Sequence, residues 1–134
     1  MANLINVEGI GAAYAQQLIE AGIATTQALL EAGASPQGRR EIAEKTGIRE
    51  DLILRWVNEA DLFRIKGVGE EYADLLEAAG VDTVPELAQR NPGNLHQKLV
   101  EVNAEEELVR QLPSERQVED WVQQAKELPR VIEY

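Results

Sequence analysis

The chain has 134 residues, of which 44% are hydrophobic and 4% aromatic, and it carries a formal net charge of -11 with one histidine and no cysteine. A chain of this length can bury a core without metal or disulfide staples, and the lack of cysteine excludes disulfides, thiol nucleophiles, iron–sulfur clusters and cysteine zinc sites. The acidic excess repels nucleic-acid phosphates and anionic lipid headgroups, which favours cationic or protein partners.

The first six residues, Met1–Asn6, lack the basic segment and apolar run of a secretory signal. No stretch of the sequence approaches the roughly 20 apolar residues that cross a bilayer. We therefore expect a cytoplasmic protein with no membrane partner.

A tight turn at Gly9–Gly11 is predicted to precede the first helix, Ala12–Ala21. The apolar residues of this helix have helical spacing and include Tyr14, Ala15, Leu18 and Ile19. Gly22 stands where a left-handed residue ends a helix, and Thr25 is predicted to cap the next one.

Two further helices are predicted before residue 61. Ser35 caps the first of them, which has Pro36 in its first position and ends at Gly47. Arg39 and Arg40 form a short basic pair on this helix, which we interpret as surface. The second helix, 49–60, has one apolar face made of Leu52, Ile53, Trp56, Val57 and Ala60.

The sequence then repeats at an offset of 58, which aligns Ala2–Gly11 with Ala60–Gly69. Trp56 matches Trp121 at an offset of 65, so the second copy carries an insertion near Glu105–Ser114. We interpret this as two duplicated units, 1–59 and 60–134, that form one compact domain about a pseudo-twofold axis.

The second copy also has helix signals throughout. Gly80 repeats the helix end of Gly22, and Thr83 with Glu86 predicts an N-cap with a capping box. Ser114 begins a long helix that Pro129 ends. Its predicted inward residues are Val118, Trp121, Val122, Ala125 and Leu128. No segment alternates as a strand does, so the predicted class is all-α, built from short helices.

Two segments resemble the helix-hairpin-helix family, whose pattern runs apolar, any residue, Gly, apolar, Gly, followed by Ala and an apolar residue at helical spacing. They are Val7-Glu8-Gly9-Ile10-Gly11 with Ala15 and Leu18, and Ile65-Lys66-Gly67-Val68-Gly69 with Ala73 and Leu76. With Trp56-Val57-Asn58, Arg90-Asn91-Pro92 and Trp121-Val122, the whole chain is similar to the DUF4332 family. That family is helix-hairpin-helix-like and has no established activity to carry over.

The resemblance implies that each hairpin can hold a DNA backbone, sometimes with a monovalent cation on its carbonyl oxygens; no other cofactor is expected. We expect Gly11 and Gly69 to have positive φ, so that valine at either position would destabilise the fold. The candidate phosphate- or partner-binding residues are Gly9, Ile10, Gly11, Gly67, Val68, Gly69, Arg64 and Lys66.

The positions after each second glycine depart from the family pattern. DNA-binding members usually have Lys or Arg there, whereas this chain has Ala12-Ala13 and Glu70-Glu71. The hairpins can therefore be structural turns or phosphate sites, and Arg64 and Lys66 can be phosphate contacts or solvated charges. The two matched aromatic pairs, Tyr14 with Tyr72 and Trp56 with Trp121, are interpreted as structural anchors.

The sequence lacks a Walker A motif, a dinucleotide fingerprint and a His-Glu-x-x-His motif. We therefore expect a non-enzymatic module that binds another protein or itself. The alternative is sequence-independent binding of a DNA or RNA backbone through the two hairpins.

Overall fold

The computed structural model describes residues 3–134, and its regular structure over that range is helical. A short 3₁₀ turn at Leu4–Asn6 precedes eight α-helices. These are α1 (Ala12–Glu20), α2 (Thr26–Ala32), α3 (Pro36–Thr46), α4 (Glu50–Leu62), α5 (Glu70–Ala78), α6 (Val84–Ala88), α7 (Pro92–Glu106) and α8 (Glu115–Glu127). The predicted all-α class is confirmed. None of these helices has the length and apolar composition needed to span a membrane.

The chain divides into two compact units. The first runs to Asp61 and also includes Val131–Tyr134, while the second is the continuous segment Leu62–Arg130. The core of the second unit is one apolar cluster whose members come from α5, α6, α7 and α8, from Leu62 at the end of α4, and from the connections before and between these helices. The predicted repeat boundaries, 1–59 and 60–134, and the pseudo-twofold axis stay predictions.

The ends of α1 and α5 have the predicted left-handed glycines. Gly22 has φ +91° and Gly80 has φ +93°. The Ile23 N–H donates to the Leu18 carbonyl at 2.9 Å, and the Val81 N–H donates to the Leu76 carbonyl at the same distance. This pairing is the Schellman motif, which satisfies the last carbonyls of a helix and turns the chain back over it.

The predicted N-caps are confirmed at three helices. The side-chain oxygens of Thr25, Ser35 and Ser114 accept hydrogen bonds from the backbone of α2, α3 and α8 at 3.0–3.1 Å. The capping box predicted at Thr83 is wrong, because the Thr83 side chain makes no capping hydrogen bond. Pro85 removes one of the two N–H groups that could donate to it, and the Glu86 carboxylate instead accepts from the Asp82 N–H at 3.0 Å.

Two predictions about which side chains are buried and which are exposed are wrong. Ile19 was assigned to the apolar stripe of α1, but its side chain is 49% exposed. Arg39 was interpreted as surface, but it is only 6% exposed, whereas its neighbour Arg40 is exposed. A guanidinium donates in several directions from the end of a long stem, so backbone carbonyls can satisfy it inside a small protein.

Candidate functional site

Each Gly-x-Gly segment forms a tight turn that leads into a helix. The Ile10 N–H donates to the Val7 carbonyl at 3.1 Å, and the Val68 N–H donates to the Ile65 carbonyl at 3.1 Å. Ile10 and Val68 are buried, so their side chains point into the protein. The surface of each turn is therefore made by its glycines, by the exposed Glu8 or Lys66, and by the first turn of the helix that follows.

The two glycines of each turn have different backbone conformations. Gly9 and Gly67 have φ +91° and +97°, whereas Gly11 and Gly69 have φ -88° and -104°. The expectation of positive φ at Gly11 and Gly69 is wrong. The first glycine occupies the third position of the turn, where a left-handed residue is needed, and the second is the extended N-cap residue of α1 or α5.

A fully buried tryptophan lies beneath the first glycine of each turn. A Cβ atom at Gly9 would lie 3.2 Å from Nε1 of Trp56, and one at Gly67 would lie 3.1 Å from Nε1 of Trp121. Both glycines are therefore constrained twice, by their left-handed backbone and by the indole below them.

A tyrosine from the helix after each turn packs against the same tryptophan. The ring centroids are 5.0 Å apart for Tyr14 and Trp56, and 5.2 Å apart for Tyr72 and Trp121. The rings are strongly inclined, an arrangement in which the edge of one aromatic ring meets the face of another. The same group of turn glycine, tryptophan and tyrosine thus recurs in both units.

A polar residue three positions after each tryptophan holds the turn from the side. The Glu59 carboxylate accepts from the Glu8 N–H at 2.8 Å. In the second unit, the Gln124 side chain accepts from the Lys66 N–H at 2.9 Å and donates to the Lys66 carbonyl at 3.0 Å. Our sequence analysis missed these two residues, although the offset that matches the tryptophans also matches Glu59 with Gln124.

The two turns open onto different surfaces. Ala12 and Ala13 form the exposed first turn of α1, whereas α5 begins with the exposed Glu70 and Glu71. A Cβ atom at Gly11 or Gly69 would have no neighbour within 4 Å, so another molecule can approach the backbone closely there. Acidic side chains at a helix N-terminus interact favourably with its dipole but repel an incoming phosphate.

The second turn borders an open pocket of about 500 Å³. Its lining residues are Gly67, Gly69, Glu70, Glu71, Tyr72, Arg110 and Gln111. The Tyr72 hydroxyl donates to the Gln111 carbonyl at 3.1 Å, so the α7–α8 loop, which contains most of the predicted insertion, lies at the edge of this turn.

Arg64 and Lys66, the two basic residues predicted to contact phosphate, have different surroundings. The guanidinium of Arg64 donates to the Pro129 carbonyl at 2.7 Å, while Lys66 is exposed beside Gly67. The Ile65 and Lys66 carbonyls both accept hydrogen bonds within the second unit, so a monovalent cation on this turn would compete with N–H donors. These two carbonyls are therefore poorly suited to be cation ligands.

We expect serine to be tolerated at Gly69 and disfavoured at Gly67. The Gly67→Ser change should destabilise the protein by about 1–3 kcal/mol, because the left-handed φ strains the residue and its Cβ meets Trp121. The Gly69→Ser change should be neutral or stabilise by a few tenths of a kcal/mol, because serine is a good N-cap residue. The midpoints of thermal unfolding of both variants measure this difference in stability. Equal midpoints would contradict the assignment of a constrained Gly67 and an unconstrained Gly69.

These features define an all-helical protein of two units, each with a glycine turn over a buried tryptophan–tyrosine pair. The chain belongs to the family described as Domain of unknown function (DUF4332), whose model matches residues 8–128. No curated protein and no solved structure matched the chain.

Proposed function

We propose that this protein is a non-enzymatic interaction module that binds another protein or a second copy of itself. We further propose that its scaffold is a tandem pair of helix-hairpin-helix units and that it acts in the cytoplasm. The observation that carries the proposal is that both turns are open to close approach while the helix that follows each turn begins without a cationic side chain.

Charge around the second turn supports a partner other than nucleic acid. Glu70 and Glu71 stand at the N-terminus of α5, where a phosphate would otherwise be attracted by the N–H groups and the helix dipole. Residues 61–134 contain 16 acidic and 8 basic side chains, a net charge of -8 out of -11 for the chain. A basic or neutral protein surface fits this environment better than a polyanion does.

Exposed groups of the first unit support contact with a protein in a different way. The N-cap residue of α1 is Gly11, which supplies no side-chain acceptor for the N–H groups of the first helical turn. These donors suit a carbonyl or carboxylate oxygen of a partner. Ile5 and Ile19 are exposed large apolar side chains in the 3₁₀ turn and in α1, and such side chains supply favourable burial in a protein contact.

Native mass spectrometry and affinity capture from lysate at moderate salt test the proposal. We expect a reproducible protein complex or a homo-oligomer, and we expect it to weaken in the Ile5→Asp and Ile19→Asp variants. Ile19 is half exposed, so the helical circular dichroism of its variant should be unchanged. A protein found only as monomer, with no reproducible partner, would contradict the proposal.

The alternative is sequence-independent binding of a DNA or RNA backbone. The open backbone at Gly11 and Gly69 and the exposed Lys66 favour it. Fluorescence anisotropy with single- and double-stranded DNA and with RNA at low salt separates the two functions. Nucleic-acid binding that falls steeply with salt and is lost in Lys66→Glu would favour the alternative, whereas no binding at tens of micromolar protein would exclude it.

A further inference from the structure

We draw no further inference here: the strongest candidate, the open pocket between the second glycine turn and the α7–α8 loop, belongs to the site already described, and its acidic residues at the N-terminus of α5 do not identify a ligand.

Discussion

Replacing Gly38 with alanine should destabilise the protein by roughly 1–3 kcal/mol, the usual cost of overpacking a well-packed site. The same change at an unconstrained helical position stabilises, because alanine has the higher helix propensity. A Cβ atom at Gly38 would overlap the Ala32 carbonyl oxygen and lie 3.3 Å from the Ser35 hydroxyl oxygen. A backbone oxygen cannot rotate away, so the start of α3 would have to move from the end of α2.

Gly93→Ala is the matched control, because Gly93 also lies in the first turn of a helix after a proline. Its Cβ would meet Oε1 of Glu115 at 3.1 Å, which is the end of a flexible side chain that can move aside. We expect this variant to be neutral or up to about 1 kcal/mol more stable. Urea unfolding followed by circular dichroism compares the two, and a stabilised Gly38→Ala protein would show that α2 and α3 are not in this close contact.

Replacing Arg39 with alanine should cost roughly 2–4 kcal/mol. Its guanidinium donates to the carbonyls of Gly33, Ala34 and Glu133. Hydrogen bonds that involve a charged group contribute about 1.5–3 kcal/mol each to stability, but three bonds that share one guanidinium do not add. The loss also removes the hydrogen bond to the Glu133 carbonyl, so the neighbouring bond from the Glu133 N–H to the Ala34 carbonyl should open more often and hydrogen exchange at Glu133 should accelerate.

The neighbouring residue gives the control for this change. Arg40 is 62% exposed in its side chain, and its Nε lies 3.9 Å from the Glu50 carboxylate. Surface pairs of this kind contribute little, so Arg40→Ala should change the unfolding free energy by less than about 0.5 kcal/mol. Equal effects of the two substitutions in thermal unfolding would contradict the buried role of Arg39.

Local signals allowed most of the helices to be predicted from sequence. The left-handed glycines at 22 and 80 and the caps at Thr25, Ser35 and Ser114 depend on residues three to five positions apart, and such patterns are visible in the chain itself. The offset of 58 likewise predicts both glycine turns.

The error at Arg39 arose from a distant part of the chain, whereas the errors at Thr83 and at the second turn glycines are local. Arg39 is buried because three backbone carbonyls meet its guanidinium, and one of them belongs to Glu133. The capping box at Thr83 is absent because the Thr83 side chain accepts no hydrogen bond, and the Glu86 carboxylate accepts from the Asp82 N–H instead. The left-handed residue of each turn is the first glycine, since the second already serves as an N-cap.

The candidate site was only partly predictable for the same reason. The pattern identified the turn glycines and the matched aromatic pairs, but nothing in it indicates that Trp56 and Trp121 lie under Gly9 and Gly67. Residues 131–134 are too few to show any periodicity, so their return to the first unit could be found only from the structure.

That return has a consequence for the order in which the protein folds. The second unit is one continuous stretch, whereas the first needs residues from both sides of it. On the ribosome, all of Leu62–Arg130 has been synthesised before Ile132 can reach the core of the first unit. Domains generally form as units once their residues are available. The N-terminal part of this chain therefore cannot complete its core until every residue of the second unit has been synthesised, unlike a domain made of one continuous N-terminal stretch.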